Sequence, residues 1–291
     1  MATPAQWWQG ARPRTLPAAV APVAVGTGIA LHAGVVLPVR ALLALVVACA
    51  LQVGVNFAND YSDGRRGTDE NRVGPVRLVG QRLASPGAVR TAAFVCFGVA
   101  GLAGIALAVL AHALWLVVLG AVCIVAAWGY TGGSRPYGYR GWGEVAVLVF
   151  FGIVPVMGTV YVQLLAFPLS SLVGGIGIGA LACAILVTNN LRDRPGDALV
   201  GKITVAVRLG DGPTRRLYEL LVAIGVLTPI ALGALTSWWV ALGSVCVVLA
   251  VRPVRTVASG AVGPALVPAL KQTGTLLLAV GLLTGVLLAV S

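Results

Sequence analysis

Nine carboxylates occur in 291 residues, and seven of them fall in two stretches. The first stretch carries Asp60, Asp63, Asp69 and Glu70, the second Asp193, Asp197 and Asp211, while Glu144 and Glu219 stand apart. In the first, Asn56, Asn59, Asp60 and Asp63 are spaced i, i+3, i+4, i+7, which places all four on one face of a continuing helix. The macrodipole at a helix C-terminus disfavours negative charge, so two carboxylates there need a compensating cation. Carboxylate and amide oxygens with no His or Cys close by suit Mg²⁺ rather than zinc. In the second stretch Asn189, Asp193 and Asp197 are spaced i, i+4, i+8, with Asn190 beside them, and Pro195 is expected to end or kink the helix before Asp197.

Basic residues surround both stretches: Arg65, Arg66, Arg72, Arg77 and Arg82 follow the first, and Arg192, Arg194, Lys202 and Arg208 flank the second. Carboxylates, a divalent metal and nearby cations together make a site for a diphosphate. A bare carboxylate about 5 Å from one phosphate charge costs about 3 kcal/mol at an effective dielectric of about 20, so a bridging metal is required. The same metal stabilises a departing diphosphate. An apolar tunnel between helices would hold a long lipid tail.

The elements that must position these residues are membrane helices. The chain is 58% hydrophobic and 10% charged, with a mean hydropathy of +0.95, too apolar to clothe a soluble domain of this length. Apolar runs fall at Leu16–Val36, Ala41–Asn59, Ala88–Leu110, Ala113–Tyr130, Glu144–Leu165, Ser171–Asn190, Leu217–Leu235, Trp239–Val251 and Gly274–Val290. Most approach the ~20 residues that cross a bilayer; Trp239–Val251 is short and must borrow flanking residues. The expected fold is an all-α transmembrane bundle of about nine helices, forming one domain over residues 1–291. It reads as two four-helix pseudo-repeats plus a final helix, with cap loops at about 60–87 and 191–216. The first run is too long for a cleaved signal peptide and is interrupted by Pro17 and Pro22. The five cysteines lie in five different runs without a CxxC pattern, and read as small packing residues.

A net charge of +11 in a soluble protein would suggest nucleic acid, but its distribution points instead to membrane lipid as the surroundings. Of 20 Lys and Arg, only Arg40 falls in a connection between spans 1–2, 3–4, 5–6 or 7–8. The positive-inside pattern therefore puts the N-terminus and both acidic stretches in the cytoplasm, and nine spans leave Ser291 outside the plasma membrane.

Five stretches together resemble the UbiA superfamily of intramembrane aromatic prenyltransferases, in its menaquinone branch, the 1,4-dihydroxy-2-naphthoate polyprenyltransferases (MenA). They are Ala11–Pro17, Asn56–Asp69, Tyr130–Gly141, Asn189–Asp193 and Gly201–Gly210, in order along the whole chain. The resemblance implies a helical bundle around a central cavity capped by loops, binding Mg²⁺ and a polyprenyl diphosphate. It places Asn59, Asp60, Asp63, Asp193 and Asp197 on the metal, with Lys202 and either Arg12 or Arg14 on the diphosphate. Asn56, Arg65, Tyr130, Arg135, Tyr137, Asn189 and Asn190 join them as residues for diphosphate or aromatic acceptor. The implied reaction ionises the allylic C–O bond, joins the allyl cation to the naphthoate carbon bearing the carboxylate, and releases CO₂ to give demethylmenaquinol. Another aromatic acceptor such as 4-hydroxybenzoate stays open. A transporter is disfavoured because the acids lie at an interface rather than at mid-membrane. A CDP-alcohol phosphatidyltransferase is disfavoured because only a fragment of its motif, Asp63-Gly64 followed by arginines, is present.

Overall fold

A chain with so few polar side chains must satisfy its backbone from within, and it does so with helices. The structure, a computed structural model, describes residues 2–66 and 76–291, and no strand occurs among them. Asp69, Glu70 and Arg72 lie outside the described residues.

The helices are α1 (Pro4–Gly10), α2 (Pro17–His32), α3 (Pro38–Arg66), α4 (Pro86–Leu110) and α5 (Trp115–Gly129). They continue as α6 (Gly143–Leu164), α7 (Leu169–Leu199), α8 (Val205–Leu209), α9 (Asp211–Leu235), α10 (Trp238–Ala258) and α11 (Gly263–Ala289). Among the described residues seven helices are long and apolar enough to cross a bilayer, and α1 with α2, bent by 48°, makes an eighth. The shorter apolar helix α5 accounts for the remaining apolar run, in rough agreement with the nine expected. The short run at Trp239–Val251 reaches span length by starting as a 3₁₀ helix over Trp238–Cys246 and running on to Ala258. Local chemistry sets several starts: Thr3 and Gln6 form a capping box on α1, Ser85 caps α4, and prolines open α1, α2 and α4.

Lipid tails supply no hydrophobic drive between helices, so close packing of small residues holds the bundle. A Cβ on Gly28 of α2 would lie 2.4 Å from the carbonyl oxygen of Gly285 on α11, and one on Gly281 would lie 2.5 Å from Ala21. On the other side a Cβ on Gly152 of α6 would lie 2.4 Å from both Gly175 and Gly179 of α7. Gly152 sits within a π-helical turn, Val149–Ile153, whose Phe150 and Phe151 face the interior cavity.

The longest helices are α3, with 29 residues, and α7, with 31. At 1.5 Å per residue each is about 45 Å long against a hydrocarbon core of about 30 Å, so their ends project beyond it. Asp60 and Asp63 ride on the projecting end of α3, and Asp193 and Asp197 on that of α7. Pro195 does not stop α7, which runs on to Leu199 and keeps Asn189, Asp193 and Asp197 on one helix. Proline removes one N–H from the ladder, and the turn beyond it closes with Val200 N–H on Gly196 and Lys202 N–H on Asp197 carbonyls. At the opposite end Arg40 donates to the carbonyls of Leu110 and Val162, capping α4 and α6 together.

Candidate active site

Between α2, α3, α5, α6 and α7 lies a cavity of about 380 Å³. Its mouth is polar, with Arg12, Arg14, Asn59, Asp63, Arg77 and Lys202. Its depth is apolar, reaching Val23, Ala44, Leu107, Leu116 and Val162 near the Arg40 end.

On α3 the cavity face carries Gln52, Asn56, Asn59 and Asp63, but not Asp60. At about 100° per residue Asn59 and Asp63 lie on one side of Asn56 and Asp60 about 40° on the other, enough to turn it past the cavity edge. Asp60 is fully buried and its carboxylate accepts the backbone N–H groups of Leu78 (2.6 Å) and Val79 (3.2 Å), pinning the segment that follows α3. The single shared face expected for the four residues is thus a face of three. Arg65, about 200° on from Asp63, leaves the cavity altogether: it is exposed, donates to the Tyr61 hydroxyl at 2.9 Å and lies over that ring.

Asn56 donates to the carbonyl of Ala11 (2.9 Å) and to Thr15 Oγ1 (2.8 Å), tying the N-terminal segment over the cavity. Arg12 lines the wall from a left-handed backbone, φ 54°, a conformation a side chain adopts at a cost of about 1–2 kcal/mol. Asn59 accepts from Thr131 Oγ1 at 2.8 Å, and Arg66 donates to the carbonyls of Thr131 and Gly133, so α3 holds the 130–141 connection from two sides.

Tyr139 joins the two acidic stretches. Its hydroxyl donates to Asp63 Oδ1 at 2.6 Å, its carbonyl accepts Ile203 N–H at 2.9 Å, and Lys202 Nζ stands 5.4 Å from its ring centre. Lys202 in turn reaches Asp197 Oδ1 at 3.2 Å, and Arg77 reaches Asp63 Oδ2 at 3.5 Å. Asp193 takes a bidentate pair from its neighbour Arg192, at 2.7 and 2.8 Å. Asn189 and Asn190 line the cavity one turn deeper. Tyr130 and Tyr137 also line it, edge to face with centroids 5.5 Å apart, and Tyr137 donates to the carbonyl of Ala126 at 2.7 Å. Burial pushes the Tyr137 hydroxyl up to about 12 and raises Tyr130 further, with Glu144 adding to the rise, so both stay protonated donors. Arg135 is exposed and is not among the cavity walls.

Tyr139, Arg77, Thr131 and Arg66 were not distinguishable in the sequence. Arg77 and Arg66 looked like any inside-facing loop charge, and Tyr139 was one aromatic among several in Tyr130–Gly141. Asn59 and Asp63 line the cavity mouth together with Lys202, and an amide and a carboxylate oxygen are donors that suit Mg²⁺. No group of three or more His, Cys, Asp or Glu side chains gathers among the described residues.

Residues 19–261 match the UbiA prenyltransferase family. The chain belongs to that family. It is 56% identical to the 1,4-dihydroxy-2-naphthoate octaprenyltransferase of Mycobacterium tuberculosis, over 96% of this chain and 94% of that one. It is 58% identical to the Mycobacterium leprae enzyme of the same description, over 94% and 92%, and 40% identical to that of Escherichia coli, over 79% and 77%. The fold is shared with a UbiA homolog from Archaeoglobus fulgidus bound to GPP and Mg²⁺, at a TM-score of 0.69 and 13% identity, covering 98% of this chain and 100% of that one. A UbiA homolog from Aeropyrum pernix matches equally well, at 0.69 and 13%, over 94% and 97%. This UbiA-family chain is therefore a multi-pass membrane prenyltransferase.

Proposed function

We propose that the chain transfers a polyprenyl group from polyprenyl diphosphate to 1,4-dihydroxy-2-naphthoate, releasing CO₂ and diphosphate and giving demethylmenaquinol for menaquinone biosynthesis. The observation that carries this reading is one cavity with a charged mouth, where both acidic stretches meet through Tyr139 and Lys202, and an apolar depth suited to a prenyl tail.

Asn59, Asp63, Asp193 and Asp197 are the residues to hold Mg²⁺, directly or through water. Mg²⁺ bound there supplies charge compensation for the diphosphate as it leaves. Arg77, Lys202 and Arg12 or Arg14 bind the diphosphate oxygens. Asp60 acts at one remove, by fixing the segment that carries Arg77. The apolar walls keep water from the allylic cation formed when the C–O bond breaks. They also hold the ring carbon that bears the carboxylate against that cation. That carbon forms the new C–C bond; the carboxylate carbon then leaves as CO₂ and returns its bonding pair to the ring. Tyr130, held protonated, presents its O–H group beside the ring, while the Tyr137 O–H stays on the Ala126 carbonyl and its ring forms wall.

The basic asymmetry of the connections supports a cytoplasmic mouth and an N-terminus on the same side, with Ser291 outside, in a single domain of the plasma membrane. The test is a competition: purified protein receives prenyl diphosphate, Mg²⁺ and equal amounts of the naphthoate and 4-hydroxybenzoate, with products read by mass. The reading predicts prenylated, decarboxylated naphthoate as the main product; a dominant prenylated hydroxybenzoate would reject it.

A further inference from the structure

Glu144 belongs to neither acidic stretch, yet it lies against the cavity wall at the start of α6. Its Oε1 accepts the Nδ2–H of Asn190 at 2.9 Å, while its Oε2 is buried with no hydrogen-bond partner among the described residues. A buried polar atom left unsatisfied costs about 1–3 kcal/mol, a penalty that an apolar residue here would avoid. Asn190 is itself buried, 7% exposed, and lines the cavity.

A side-chain amide has one donor end and one acceptor end. With Glu144 ionised neither of its oxygens can donate, so once Nδ2 is bonded to it the amide cannot turn over. Oδ1 is then the end offered to the cavity. A carbonyl oxygen repels a diphosphate, whose surface is all acceptors, but welcomes an O–H donor. A ring hydroxyl that donates to a carbonyl gains electron density, which activates the ring toward an electrophile. The surrounding wall suits an aromatic ring: a Cβ on Gly143, next to Glu144, would lie 3.2 Å from the Tyr130 hydroxyl, and Tyr130 pairs with Tyr137.

We propose that Glu144 is a positioning residue that locks Asn190 with its carbonyl toward the cavity, where it accepts a hydrogen bond from a hydroxyl of the aromatic acceptor. This rests on the prenyl transfer to a hydroxylated arene argued above.

The test uses full-length protein and steady-state kinetics in which the naphthoate, the prenyl diphosphate and Mg²⁺ are varied separately. Glu144→Gln lets the Asn190 amide turn over, and should raise KM for the naphthoate about tenfold. KM for the prenyl diphosphate and the half-saturating Mg²⁺ concentration should stay within about twofold. Asn190→Asp alone sets two carboxylates against each other and should be worse. The double swap, Glu144→Gln with Asn190→Asp, restores one donor and one acceptor to the contact and should recover most of the naphthoate KM. Asn190→Ala, which leaves Glu144 in place, gives the same acceptor-specific readout if Glu144→Gln does not fold. An unchanged naphthoate KM, a parallel rise for both substrates, or a shift in the Mg²⁺ requirement instead would overturn the assignment. A wild-type protein that never prenylates the naphthoate would instead overturn the functional reading beneath it.

Discussion

The Tyr139 hydroxyl donates to Asp63 Oδ1 at 2.6 Å, and through Tyr139 the acidic end of α3 is joined to the Lys202–Asp197 pair at the end of α7. A hydrogen bond to a charged group contributes about 1.5–3 kcal/mol, or roughly 10- to 100-fold in an equilibrium. Tyr139→Phe removes that bond and keeps the ring beside Lys202. Its KM for prenyl diphosphate is expected to rise by about tenfold or more, and Tyr139→Ala, losing the ring as well, should raise it further. Equal kinetics for wild type and Tyr139→Phe would remove the link from the account.

Asp60 and Asp63 are expected to separate by substitution. Asp63→Ala strips an oxygen from the cavity mouth and should lower kcat by about a hundredfold or more. Asp60→Asn still accepts an N–H from Leu78 or Val79 and should keep a measurable fraction of activity, whereas Asp60→Ala loosens that segment and should not. Melting temperature and rate, measured together, check this: Asp60→Ala should lose both, Asp63→Ala mainly rate.

Removal of divalent metal with a strong chelator should abolish turnover, and Mg²⁺ should restore it. Asp197→Ala and Asp193→Ala should each demand more Mg²⁺ for half-maximal rate, while Glu219→Ala, outside both stretches, should titrate like wild type. A chelated protein that keeps its rate would contradict the metal assignment.

The fold was legible in the sequence because a membrane span is a long signal. Nine apolar runs and the Lys/Arg alternation need only composition. What the sequence withheld were angles and long-range partners. The i, i+3, i+4, i+7 spacing of Asn56, Asn59, Asp60 and Asp63 gathers them within an arc, but which edge of that arc meets the cavity depends on where α2 and α5 pack. Asp60 therefore turned to backbone amides of Leu78 and Val79. Pro195 looked like a stop and is not one, because it removes one hydrogen bond near the helix end. Arg65 and Arg66 are neighbours of like charge, yet one lies over Tyr61 and the other holds Thr131 and Gly133.

Gly152 tests the packing on which the cavity depends. Its missing Cβ lets α6 and α7 touch at Gly175 and Gly179. Gly152→Val should force these helices apart and cost about 1–3 kcal/mol, seen as a melting temperature lowered by several degrees. A variant with unchanged melting temperature and rate would show that the close approach is dispensable.

The orientation is open to single cysteines introduced into a cysteine-free background and probed from outside intact cells with an impermeant thiol reagent. Ser291→Cys should label, and Ser134→Cys, in the connection over the mouth, should label only after the membrane is opened. Ready labelling at position 134 in intact cells would reverse the topology.

The reaction itself is tested most directly with naphthoate labelled in its carboxyl carbon, supplied with prenyl diphosphate and Mg²⁺, following label and product mass together. The account predicts one labelled CO₂ released for each prenyl group transferred, and a product that carries no label. A prenylated product that keeps its labelled carboxyl would contradict attack at the carboxylate-bearing carbon, and with it the proposed function.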